Sequence, residues 1–166
     1  ILDRLFGQGG RRDRSVGANG GGIGRAAKST DGGRSFQSET FQPAFALNAI
    51  QFLNPSLAFI AGDRGRIFTS TDRGATWLRR SAPLAANFRA LSFAGGNGWV
   101  SGDNGALIRS TDGGRSWQQL QSGTNRTLRA VRFLDANIGW AAGDHGTILK
   151  TEDGGGAAII VIFPRP

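Results

Sequence analysis

The sequence predicts an all-β fold, a β-propeller segment of four-stranded antiparallel blades, with about three clear blades and part of another. Three observations carry this. The segment Ser29–Phe36 (STDGGRSF) recurs as Ser70–Trp77 (STDRGATW) and Ser110–Trp117 (STDGGRSW), and begins again at Thr151–Gly155 (TEDGG). Its aspartates, Asp31, Asp72, Asp112 and Asp153, stand 41, 40 and 41 residues apart. Other elements keep the same register, and no stretch shows a sustained helical period.

Each unit resolves into four strands. The first alternates apolar and polar residues, the period of a half-buried strand, at Leu47–Phe52, Phe88–Phe93 and Leu128–Phe133. The second carries an aromatic, Phe59, Trp99 or Trp140. A Gly-Asp-x-Gly turn follows at Gly62–Gly65, Gly102–Gly105 and Gly143–Gly146. Its glycines tolerate positive φ, and its aspartate is expected to accept nearby backbone amides. The third strand covers Ala106–Arg109 or Thr147–Lys150, and the aspartate motif then turns into a fourth, such as Ser116–Leu120. Four short strands per unit, with turn signals every eight to twelve residues or so, mark a propeller blade.

The organisation read from this pattern has three parts: a poorly matching Gly/Arg-rich segment 1–24, repeats over 25–155, and an atypical apolar tail 156–166. In the first part only Gly21–Gly24 lines up with the Gly-Asp-x-Gly turn, and it lacks the aspartate. In the tail, Ala157 and Ala158 stand where the motif has Ser/Thr and Trp, and Ile159–Phe163 is apolar on both faces, a hazard in an exposed edge. A truncation or frame change near Gly155 is the expectation, with a closing strand as the alternative. The chain starts at Ile1 and has no methionine, so a processed form or a fragment is expected.

Composition excludes several chemistries. With no cysteine there is no disulfide, thiolate zinc site or cysteine nucleophile. The single histidine, His145, leaves no histidine cluster, and neither a metal nor a cofactor is implied. His145 fills the variable slot of its turn, where Arg64 and Asn104 stand in the other units, and reads as a solvated side chain. The longest apolar run, Gly156–Phe163, is far too short to span a bilayer.

The motif S/T-x-D-x-G-x-S/T-W/F resembles the Asp-box, or BNR repeat, of sialidases, sortilin-type receptors and many bacterial propellers. The longer run Gly98–Trp117 (GWVSGDNGALIRSTDGGRSW) is similar to the blades of the photosystem II stability/assembly-factor-like family. The similarity covers residues 45–155, with a partial match from 21. It implies a non-catalytic propeller that binds another protein, a membrane-complex subunit or its precursor, in an extracytoplasmic compartment: periplasmic, thylakoid-lumenal or secreted. The alternative is a segment of a sialidase-like or other carbohydrate-active propeller whose catalytic residues lie outside this chain.

Equal spacing argues that Asp31, Asp72, Asp112 and Asp153 are structural, each pinning its turn while Trp77 or Trp117 packs between sheets. A retaining sialidase of the known kind needs a tyrosine nucleophile, and the chain has no tyrosine. No catalytic residue is expected here. The charge is more informative: of 12 acids, seven sit in repeat turns, against 20 bases of which 18 are arginine, for a net +8. Arg89 and Arg129 share one repeat position, and Arg109 and Lys150 another. With Arg132 they are the expected partner-binding residues, since arginine grips carboxylates through paired donors. Nucleic acid is the disfavoured partner, because the aromatics occupy core positions rather than interleaving with the bases.

Overall fold

The computed structural model describes residues 24–29, 31, 33–41, 45–156 and 160–162. The Gly/Arg-rich segment 1–24 lies outside the described residues except for Gly24. The chain divides into two compact units, Ile1–Leu47 and Asn48–Pro166. In the first, β1 (Gly24–Lys28) and β2 (Gln37–Phe41) form an antiparallel hairpin with Gly24 opposite Phe41 and Lys28 opposite Gln37. They are the third and fourth strands of a repeat, joined by the Asp31 turn.

The second unit holds three blades, each a simple meander. The first blade is β3 (Leu47–Phe52), β4 (Ala58–Gly62), β5 (Arg66–Ser70) and β6 (Leu78–Arg80). The second is β7 (Phe88–Ala94), β8 (Asn97–Gly102), β9 (Leu107–Ser110) and β10 (Gln118–Gln119). The third is β11 (Leu128–Phe133), β12 (Gly139–Gly143), β13 (Ile148–Thr151) and β14 (Ile160–Ile162). All neighbouring strands pair antiparallel, and among the described residues the only helical turns are 3₁₀ turns at Asp103–Gly105 and Asp144–Gly146. The chain is a partial β-propeller, as its repeat predicts.

Two details differ from the sequence pattern. The fourth strand of the second blade is two residues rather than five, since Trp117 turns inward and only the exposed Gln118 and Gln119 remain extended on the sheet. The backbone of Ile160–Ile162 pairs with Ile148–Lys150, taking the fourth-strand place in the third blade.

The core lies between blades. Phe59, Ala61 and Ile67 of the first blade pack with Phe88, Val100, Ile108 and Trp117 of the second. Trp99 and Leu107 of the second pack with Leu128, Val131, Phe133, Ala141 and Leu149 of the third. The second blade therefore shows one apolar face backward and one forward, which explains why its strand β8 is buried on both sides. Aromatic stacks close both seams: Phe59 on Phe93 at 4.4 Å between centroids, and Trp99 on Phe133 at 3.5 Å with rings only 4° apart. The inner-strand amides lock the same seams, with Phe93 N–H donating to Gln51 Oε1 at 3.0 Å and Phe133 N–H to Ser92 Oγ at 3.0 Å.

Candidate functional site

Two repeated clusters hold the charged side chains. The first is the aspartate motif. Asp112 accepts Arg115 N–H and Ser116 N–H, each at 2.9 Å, Ser116 Oγ–H at 2.6 Å and Ser110 Oγ–H at 2.8 Å. Ser110 Oγ in turn accepts Gly114 N–H at 2.8 Å. Asp72 repeats this with Thr76 and Ser70, and Asp31 with Arg34, Ser35 and Ser29. Asp153 takes Thr151 Oγ1–H, Gly155 N–H and Gly156 N–H.

These donors favour the ionised form. The carboxyl of Asp72 is held down to about 2, first by Thr76 Oγ1–H, then by Thr76 N–H and Ser70 Oγ–H. Asp31 and Asp112 lie lower still, led by the hydroxyls of Ser35 and Ser116. Asp72 and Asp112 are thus committed to their own turns through hydroxyl and amide donors. The motif aromatics complete the turns: Trp117 is buried edge-on to Phe93, and Trp77 is half-buried within ordinary contact of where a Gly74 Cβ would lie.

The second cluster runs along one end of the inner strands. Here the structure departs from the expectation that Asp63, Asp103 and Asp144 bond local amides. Their carboxylates take side chains from the inner strands, because residue two of each such strand reaches directly to the turn. Asn48 Nδ2–H donates to Asp63 Oδ1 at 2.9 Å and to Phe88 O at 2.7 Å across the seam. Arg89 pairs with Asp103 through Nε–Oδ1 at 2.7 Å and Nη2–Oδ2 at 2.6 Å. Arg129 grips Asp144 in the same two-pronged way. Arg89 also stands 3.9 Å from Asp63 of the preceding blade, so the charges alternate as Asp63, Arg89, Asp103, Arg129, Asp144 across three blades. The Arg89 bond lowers the Asp103 pKa, helped by Asn87, and the Arg129 bond lowers that of Asp144.

The turns that bear these aspartates place their third residue in the left-handed region: Arg64 at φ 58°, Asn104 at 55° and His145 at 57°. His145 lines an open polar concavity with Asn125, Arg126, Thr127 and Asp144. Among the described residues, no group of three or more His, Asp or Glu side chains could hold a metal ion.

The five cations expected to contact a partner do not share one face. Arg89 and Arg129 stand together in the ion-pair row. Arg109 lies in the seam between the second and third blades, its guanidinium 5.5 Å from the Trp99 ring and its Nη2 3.4 Å from Ala136 O. Arg132 and Lys150 flank Trp140 on the forward face of the third blade, opposite it in register, and Lys150 pairs with Glu152. Residues that the repeat did not single out, Asn48, Asn87 and Arg126, belong to the row and its concavity. The readable signal for Asn48 was its register, since residue two of the inner strand and the Asp of the turn recur together.

The family described as photosynthesis system II assembly factor YCF48 matches residues 42–126, just over half of the chain. The chain belongs to the YCF48 family. Among solved structures it is similar to YCF48 bound to D1 peptide, with 25% identity and a TM-score of 0.63. It is also similar to YCF48 from Cyanidioschyzon merolae, with 28% identity and a TM-score of 0.61. Both matches cover 69% of this chain and 39% of the YCF48 chain, so the present chain spans well under half the length of those relatives. A GH74 enzyme from Niastella koreensis shares the fold at 20% identity, with a TM-score of 0.53 over 85% of this chain and 24% of its own. No curated protein sequence matches the chain. Among the described residues no helix is long and apolar enough to cross a membrane.

Proposed function

We propose that this YCF48-family chain is part of a non-catalytic, extracytoplasmic propeller that binds a subunit of a membrane protein complex, photosystem II or one like it, during assembly. The observation that carries the reading is its likeness to YCF48 bound to D1 peptide, and the family match over residues 42–126 takes in Asp63, Arg89 and Asp103 of the ion-pair row. The row suits this role. Asp103 and Asp144 occupy the Nε and Nη2 edge of each arginine and hold the side chain in one orientation. Side chains of Arg89 and Arg129 remain 33% and 65% exposed, so each keeps donors for a second acceptor. Ordering the arginine beforehand reduces the entropy lost when a partner's carboxylate docks. Arg126 and Arg64 add cations at the same end of the inner strands.

The test is capture of a D1 peptide by the purified chain, comparing wild type with Arg89→Ala/Arg129→Ala. A tenfold or greater loss of affinity, with an unchanged urea midpoint, is expected. Equal capture by the double variant refutes the row as the contact.

A further inference from the structure

The forward face of the third blade is built differently from the two forward faces that are already covered. Across the second blade the row Ser92, Trp99, Arg109 shares one face, since directly opposed residues of paired strands point to the same side. The matching row of the third blade is Arg132, Trp140, Lys150. In the covered blades the aromatic of this row is lost from solvent, with Phe59 at 2% and Trp99 at 0% exposure. Trp140 is only half-buried, and Ile148 is 41% exposed where its equivalents Ile67 and Leu107 are 1% and 4% exposed. These residues are suited to a seam.

The chemistry at the inner strand is reversed. Residue five of this strand is Gln51 in the first blade and Ser92 in the second, and each accepts the N–H of the phenylalanine in the following inner strand. In the third blade residue five is Arg132. A guanidinium has five donors and no acceptor, so it cannot receive an amide N–H. An inner strand like β7 or β11 placed here would set donor against donor and leave its amide unpaired in a buried seam.

We infer that the forward face of the third blade is a seam of reversed hydrogen-bond polarity: it takes a further blade whose inner strand presents an oxygen acceptor, an Asp or Glu side chain, to Arg132. The aromatic and aliphatic half of the seam keeps the pattern of the other two, with Trp140 under a ring and Ile148 under the neighbouring sheet. A second copy of this chain fits poorly, because its inner strands offer Arg132 amide donors and each copy carries a net charge of +8. The inference is independent of partner binding at the ion-pair row.

The experiment adds one repeat to the chain, exchanging the residues after Gly156 for a second copy of Ser116–Gly156. Three versions are compared: the plain extension, the extension with Arg132→Gln in the original third blade, and the extension with Val131→Glu in the added copy only. Residue 131 is the inner-strand position that faces backward beside the amide. Burial of Trp140 is read by acrylamide quenching, assigned with Trp140→Phe, alongside the urea midpoint. Unextended Arg132→Gln serves as the folding control. The Gln and Glu versions are expected to shield Trp140 and to raise the midpoint above that of the plain extension. Equal shielding and midpoint in all three overturns the polarity, and an unshielded Trp140 in every version overturns the seam. Self-association of the unextended chain with Trp140 shielded assigns the face to a second copy and also overturns it.

Discussion

The seam between the second and third blades concentrates its contacts on one side chain, Trp99, and the cost of altering it can be worked from those contacts. The indole is fully buried, lies flat on Phe133 at 3.5 Å, and donates Nε1–H to Gly154 O at 3.0 Å. Trp99→Phe keeps a ring on Phe133, as Phe59 does on Phe93, but leaves the Gly154 carbonyl without that donor. An orphaned buried acceptor costs about 1–3 kcal/mol. Trp99→Ala also removes the stack and opens a cavity, for about 3–5 kcal/mol. With a urea m value of about 2 kcal/mol/M, the midpoint should fall by about 1 M for Phe and about 2 M for Ala. Urea titration followed by circular dichroism, with m fitted separately for each variant, reads both shifts. A Phe variant as unstable as the Ala variant refutes the stacking contribution. A Phe variant at the wild-type midpoint refutes the carbonyl bond.

Three further outcomes follow from named contacts. Ser92→Ala removes the acceptor for the Phe133 amide and should cost about 1–3 kcal/mol in the same titration, while Ser92→Thr, which keeps a hydroxyl, should cost less. Gly114→Ala places a Cβ 2.4 Å from the Phe59 ring at φ +81°, so its midpoint should fall well below that of Gly113→Ala, whose Cβ meets nothing within 4 Å at a similar φ of +72°. The folded pKa of Asp72 is about 2 against an ordinary 3.8, so the stability it contributes is full above that ordinary value and is lost as pH falls toward about 2. Midpoints measured from pH 6 down to pH 3 or so should decline less steeply in Asp72→Asn than in wild type, and parallel curves would exclude the turn as a source of acid sensitivity.

Much of this architecture was readable from spacing alone. Phe59 and Trp99 recur in register because each stands at the seam with the following blade, and the Ser-x-Asp turns recur because their bonds close within four residues. Spacing could not say which seam a ring faces. Period-two alternation separates the two faces of a strand but does not distinguish the backward face from the forward one, so it could not place Arg109 in the seam beside Trp99. The pairing of Arg89 with Asp103 was hidden for another reason. Its partners are 14 residues apart, one on the inner strand and one in the turn after the next strand, and a charge count records the two without recording that they meet.

The amide and amide-side-chain bonds across the seams join residues 40, 41 and 42 positions apart, about one repeat each. Contacts of that kind make the array behave as a line of neighbours, in which stability is a sum of blade and adjoining-seam contributions. Damage at the Trp99 seam should therefore leave amide exchange in the Phe59 seam nearly unchanged. Loosening at one seam would be felt first by the two blades that share it.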